Sequence, residues 1–145
     1  MLNIRLETGM ALAALGLHAM FVVYLSSFYY RLSQPIEIGN VIMFPWQLLT
    51  VGIFLFGLPG FGLAGIAYVL SKRSAPKVVS MMLIAQGILI PLGMLYASIL
   101  ANNIVEEHKS AGLSIVPQIF LVSGFALIGM GVHLSRLKPL KRRTM

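Results

Sequence analysis

The chain has 145 residues, of which 58% are hydrophobic and 10% are charged, with a net charge of +7 and a mean hydropathy of +0.88. Soluble domains carry about 25% charged residues, so the composition excludes a water-soluble globular domain and indicates an integral membrane protein. The absence of cysteine excludes disulfides, thiolate metal sites and a thiol nucleophile.

Four long uncharged runs divide the chain. They contain 23, 34, 28 and 26 residues and are bounded by short charged patches. About 20 apolar residues in a helix cross the ~30 Å hydrocarbon core. We therefore predict an all-α integral membrane protein with transmembrane helices at residues 8–30, 44–70, 78–101 and 113–135. The short connections predict an antiparallel bundle, which makes residues 1–145 a single domain with a basic tail at 136–145.

His18 lies near the middle of the first span and is the one ionisable side chain deep in a predicted span. Such a residue is a functional hypothesis by default. Three interpretations are open: an interhelical hydrogen bond, a haem or metal ligand, and proton handling. The second would make the chain a haem- or quinone-binding electron-transfer subunit. His133 is predicted to lie about 12 Å from the depth of His18, which argues against a haem held by both.

The second span contains the sequence Gly57-Leu-Pro-Gly-Phe-Gly-Leu-Ala-Gly65. Pro59 removes a backbone hydrogen bond and crowds the preceding turn, so it predicts a kink. Gly57, Gly60 and Ala64 form a small-residue surface that another helix can approach closely. Tight packing is the favoured interpretation. The alternative is a hinge at Pro59 that gates a small channel or transporter.

Small residues also mark the third and fourth spans. Gly93, Ala97 and Ala101 follow one another at one residue per turn in the third, and Gly124 notches the fourth. We predict that these residues mediate helix packing. Together the spans offer more notched surface than one four-helix bundle needs, which motivates the hypothesis that other membrane subunits cover the remainder.

The basic residues predict the orientation of the chain. Nine lysines and arginines lie on the side of the two termini and the second loop, against two on the other side. This bias places both termini in the cytoplasm of a multi-pass protein of the cell membrane. The tail cluster is predicted to contact lipid headgroups and is too short to suggest nucleic acid binding. Its members are Arg136, Lys138, Lys141, Arg142 and Arg143.

No carboxylate lies inside a predicted span, which argues against a proton- or cation-coupled transporter. Glu106, Glu107 and His108 form a candidate metal cluster. Metal sites usually need three or four convergent ligands, however, so polar residues at a helix end are the favoured interpretation. Because no base, nucleophile or metal cluster has a partner in the sequence, we predict a chain that is not an enzyme and binds no cofactor.

Two short motifs accompany this layout: Met43-Phe-Pro-Trp-Gln47 at the outer interface and Leu58-Pro-Gly-Phe-Gly62 at the predicted kink. A small, cysteine-free, multi-span chain with these features resembles the accessory transmembrane subunits of archaeal ammonia monooxygenase. The resemblance implies that copper chemistry belongs to larger subunits. This chain would then pack against them and stabilise the assembly.

Overall fold

The computed structural model describes residues 5–34, 45–104 and 111–139, and these residues are helical with short connections and contain no strand. The first span is α1 (Leu6–Leu32), and the second comprises α2 (Pro45–Gly52), a π-helical segment (Ile53–Gly57) and α3 (Leu58–Ser71). The third span is α4 (Lys77–Asn102), and the fourth is α5 (Ala111–Arg136). Within these described residues, four helices are long and apolar enough to cross a membrane, as predicted.

The helices extend slightly beyond the predicted spans. The first has 27 residues, which is about 40 Å of helix and matches a bilayer with its headgroup regions. Polar residues at the ends continue the helix because the backbone hydrogen bonds do not depend on side-chain polarity. The second span is described from position 45, so Phe44, the predicted first residue, lies outside the described residues.

The second span changes its helical pitch just before Pro59. Within the π-helical segment the backbone bonds reach one residue further than in an α-helix, and the Leu58 N–H donates to the carbonyl oxygen of Ile53. Pro59 has no N–H to donate, so the chain must rearrange its backbone pairing at this point. The distortion that the structure describes at this point is a change of helical pitch. The bend of the helix axis expected at Pro59 stays a prediction.

The helices form a bundle in which α1 packs against α3 and α4, and α4 packs against α5. The start of α1 lies beside the turn after α3, where the Ser74 hydroxyl donates to Glu7 at 3.3 Å. The other end of α1 lies beside the start of α5, where the Tyr29 hydroxyl donates to the Leu113 carbonyl oxygen. These contacts make the first span antiparallel to the second and the fourth.

Where the helices of the bundle meet, small residues pack against larger side chains. A Cβ added at Gly124 of α5 would lie 2.5 Å from Cδ of Pro91 in α4, so the two helices are in close contact there. Nearby, the buried Ser80 hydroxyl donates to the Gly131 carbonyl oxygen at 2.7 Å. Across the bundle, the rings of Phe61 and Phe120 stack with centroids 6.0 Å apart and join α3 to α5.

Candidate functional site

His18 occupies a fully buried position at the centre of the bundle. Its Nδ1 lies 2.8 Å from Oε1 of Gln86 on α4. The Gln86 side chain is also fully buried, and its Nε2 donates to the carbonyl oxygen of Ala11 at 3.1 Å. The first and third spans are therefore joined by a short chain of hydrogen bonds through two polar side chains.

This chain of hydrogen bonds fixes the tautomer of His18. The Ala11 carbonyl can only accept, so the Gln86 amide nitrogen faces it and the amide oxygen faces the imidazole. An amide oxygen also only accepts, so the hydrogen of the neutral imidazole lies on Nδ1. The His18 Nε2 atom therefore carries a lone pair and accepts rather than donates.

The Nε2 lone pair is enclosed by the second span. It is buried and finds no hydrogen-bond partner in the described part of the chain. A Cβ added at Gly60 would lie 2.8 Å from both Nε2 and Cδ2 of His18, so a glycine here is what admits the ring. Phe61 packs edge-on against the imidazole with ring centroids 4.6 Å apart.

The geometry favours the interhelical hydrogen bond among the three interpretations of His18. Gly60 and Phe61 pack against the imidazole, and its Nε2 is buried with no hydrogen-bond partner among the described residues. His133 is exposed and hydrogen-bonded at 2.7 Å to the Tyr68 hydroxyl, in a separate part of the bundle. Among residues 5–34, 45–104 and 111–139, no group of three metal-binding side chains converges. Glu106, Glu107 and His108 lie outside the described residues.

The small residues of α3 and its preceding turn face α1. Gly57, Gly60 and Ala64 are buried, and a Cβ at Gly57 would lie 3.1 Å from the ring of Phe21. Pro59, by contrast, is exposed on the outer surface of the bundle.

The small residues of α4 and α5 also lie at contacts within the chain. Gly93 is half-buried against Val22 of α1, and Gly124 is buried against Pro91 of α4. Ala97 and Ala101 are buried as well. The predicted packing glycines Gly93 and Gly124 therefore contact other helices of this chain.

Gln86 is the partner that the sequence did not assign to His18. Its signal in the sequence was an amide inside an apolar run, which marks a polar residue that needs a hydrogen bond but does not name the partner. Gly87 was also missed as a packing residue. A Cβ added there would lie 2.4 Å from Cγ1 of Ile128, so α4 and α5 are in close contact at this point as well.

Within residues 5–34, 45–104 and 111–139, four glycines have free space beside them. A Cβ at Gly16 of α1, at Gly62 or Gly65 of α3, or at Gly129 of α5 would meet no other described atom within 4 Å beyond its chain neighbours and the adjacent backbone of its own helix. Gly62 and Gly65 line a shallow apolar groove of 380 Å³ together with Ile66 and neighbouring side chains.

The basic tail is described in part. Arg136 and Lys138 are exposed, whereas Lys141, Arg142 and Arg143 lie outside the described residues. At the same end of the bundle, the Lys72 ammonium lies 5.0 Å from the ring centroid of Tyr68, whose hydroxyl is hydrogen-bonded to His133.

Comparisons of the chain with protein-family models, with curated proteins and with solved structures found no match.

Proposed function

We propose that this chain is a multi-pass protein of the cell membrane and a non-catalytic accessory subunit of a larger membrane complex. The observation that carries the proposal is the set of open glycines on the outer helix faces. A transmembrane helix of another subunit is the proposed occupant of the groove at Gly62 and Gly65.

Membrane placement is supported by the outer surface of the bundle. Large apolar side chains point outward on every span, including Phe54, Met81 and Val122, which are 63%, 69% and 66% exposed. Contiguous apolar surface of this kind is unfavourable in water but matches lipid tails. The positive-inside bias supports an orientation with both termini in the cytoplasm.

The open glycines lack the close helix contacts that offset the energetic cost of a glycine at the buried positions. A glycine within a helix costs about 1 kcal/mol relative to alanine. At Gly57, Gly60 and Gly124 this cost is offset by close contact with another helix of the same chain. Gly62 and Gly65 have no such contact within the part of the chain that the structure describes. Close backbone approach is nevertheless what drives helices together in lipid, where there is no hydrophobic force between them.

The arrangement of the polar groups supports a structural role. His18 and Gln86 hold the first and third spans together, and neither reaches the surface. For the identity of the complex, we propose an archaeal copper membrane monooxygenase of the ammonia-oxidising type, on the resemblance described above. In that assembly the copper chemistry would belong to the larger subunits.

The test is co-purification of the chain from its own membrane in mild detergent, followed by native mass spectrometry. The wild-type chain should appear with other subunits at a fixed stoichiometry. The Gly62→Leu/Gly65→Leu variant should fold, because both positions have free space, but should lose at least about tenfold of the bound partner.

The matched control is Val51→Leu/Val122→Leu, which enlarges two exposed side chains away from the groove. This variant should retain the partner. A wild-type chain that leaves its membrane alone, or a glycine variant that assembles normally, would refute the proposed function.

A channel or transporter is the second candidate, because π-helical turns frequently occur at functional sites and this one adjoins Pro59. The purified chain in liposomes should then carry a solute flux that Pro59→Ala changes. The accessory-subunit proposal predicts no flux from the isolated chain.

A further inference from the structure

At the ends of α1 and α4, a groove of 450 Å³ is lined by side chains that all carry hydrogen-bond donors. They are Ser26, Ser27, Tyr30, Arg31 and Tyr96. In a chain with 10% charged residues, a surface made of one guanidinium and four hydroxyls is a concentrated polar patch. The donors suit an anion, because no carboxylate is among them.

These donors are not used within the described part of the chain. No hydrogen bond or ion pair occupies the Arg31 guanidinium or the hydroxyls of Ser26, Ser27, Tyr30 and Tyr96 there. Other hydroxyls behave differently: Thr50 and Ser123 donate to carbonyl oxygens four residues earlier. A cation in the last turn of α1 is explained by the helix dipole, but the four free hydroxyls around it are not.

The surface below the groove is apolar. Leu92 precedes Tyr96 by four residues and Val23 precedes Ser27 by four, so each lies on the same helix face one turn deeper. They are 62% and 64% exposed. A donor-lined groove above an apolar seam matches an amphipathic molecule with an anionic head and an alkyl tail.

We propose that this groove binds the phosphate of a membrane lipid headgroup. Arg31 supplies a planar fork that can donate two parallel hydrogen bonds to phosphate oxygens, and the hydroxyls donate to the remaining ones. The alkyl chain then lies along Val23 and Leu92. The site rests on the proposed membrane placement but needs no partner subunit, and it lies at the opposite end of α1 from Arg5.

The experiment uses the full chain, delipidated and reconstituted into vesicles that contain phosphatidylglycerol and a neutral glycolipid, and retained lipid is measured by native mass spectrometry. The wild type should retain phosphatidylglycerol in preference to the glycolipid. Arg31→Gln should lower the retained phosphatidylglycerol about tenfold, because it removes the charged donor. The matched control, Arg5→Gln, makes the same change in net charge at the other end and should leave retention within about twofold.

Three results would overturn the assignment. One is equal retention of the two lipids by the wild type, and another is equal loss in Arg31→Gln and Arg5→Gln. The third is release of the lipid by millimolar inorganic phosphate, which would assign the site to the free ion.

If Arg31→Gln does not fold, Ser26→Ala/Ser27→Ala keeps the charge and should still lower lipid retention severalfold. Unchanged retention in this variant would refute the site. Vesicle flotation separates the two proposals, because failure to insert refutes the membrane placement, whereas insertion without headgroup preference refutes this site alone.

Discussion

Alanine substitutions at Gly60 and Gly62 form the sharpest test of the packing around His18. The two glycines lie two residues apart in α3, but Gly60 faces the imidazole and Gly62 faces outward. In Gly60→Ala, the new Cβ would lie 2.8 Å from Nε2 and Cδ2 of His18. Because the imidazole is held by Gln86 and packed by Phe61, it cannot simply rotate away.

The expected energies follow from these contacts. Overpacking of this kind costs about 1–3 kcal/mol of unfolding free energy. In Gly62→Ala the new Cβ meets no described atom within 4 Å beyond its own stretch of helix, so the change should be neutral or should stabilise the helix by up to about 1 kcal/mol. Because the helix-propensity gain is common to both variants, they should differ by the overpacking cost of about 1–3 kcal/mol in the free energy of unfolding, measured by reversible denaturation in mixed micelles.

A third measurement links the effect to the imidazole. In a His18→Ala background the ring is gone, so Gly60→Ala should cost much less, and the double-mutant cycle should show a coupling energy of at least about 0.5 kcal/mol. Equal unfolding free energies for Gly60→Ala and Gly62→Ala, or a cycle with no coupling, would refute the placement of His18 against Gly60.

Three further predictions concern the polar groups. Gln86→Leu should cost about 1–2 kcal/mol of unfolding free energy because it leaves the Nδ1–H of His18 buried without an acceptor, whereas Gln47→Leu, at an exposed position, should cost almost nothing in the same denaturation assay. The purified chain should show no Soret absorbance; a band that His18→Ala abolishes would contradict the enclosed lone pair. Replacing Arg142 and Arg143 by glutamate should weaken the cytoplasmic orientation of the tail and its lipid contact, and an accessibility assay with an unchanged tail and unchanged lipid retention would show that these charges are dispensable.

The four helices could be predicted because a membrane span is a property of one segment. The absence of charge over 23 or more residues is sufficient, whatever the rest of the chain does. Gly60 and Ala64 could likewise be predicted as packing residues, since small side chains four residues apart lie on one helix face. The positions of the helices and of their close-packing faces can therefore be predicted from the sequence.

The pairing of His18 with Gln86 could not be predicted in the same way. Both helices are apolar on every side, so no polar stripe shows which face of α1 turns toward α4. From the sequence, Gly62 is as good a candidate as Gly60 for the glycine that faces His18. Which of the two faces the imidazole depends on how α3 is rotated about its axis in the bundle. The donor-lined groove is also a tertiary feature, because Arg31 and Tyr96 are 65 residues apart in the chain.

The wide turn before Pro59 has a consequence for the phase of the second span. The first five inward-facing positions described in this span are Leu49, Gly52, Gly57, Gly60 and Ala64. Their spacing is three, five, three and four residues, and the five-residue step coincides with the π-helical segment. In an uninterrupted α-helix, residues five positions apart differ by roughly 140° in azimuth, whereas the wider π-helical turn absorbs one residue and brings both halves back to nearly the same side. The π-helical segment thus accommodates one extra residue without rotating the following helix away from α1. A single span can therefore present small residues to α1 on both sides of the pitch change.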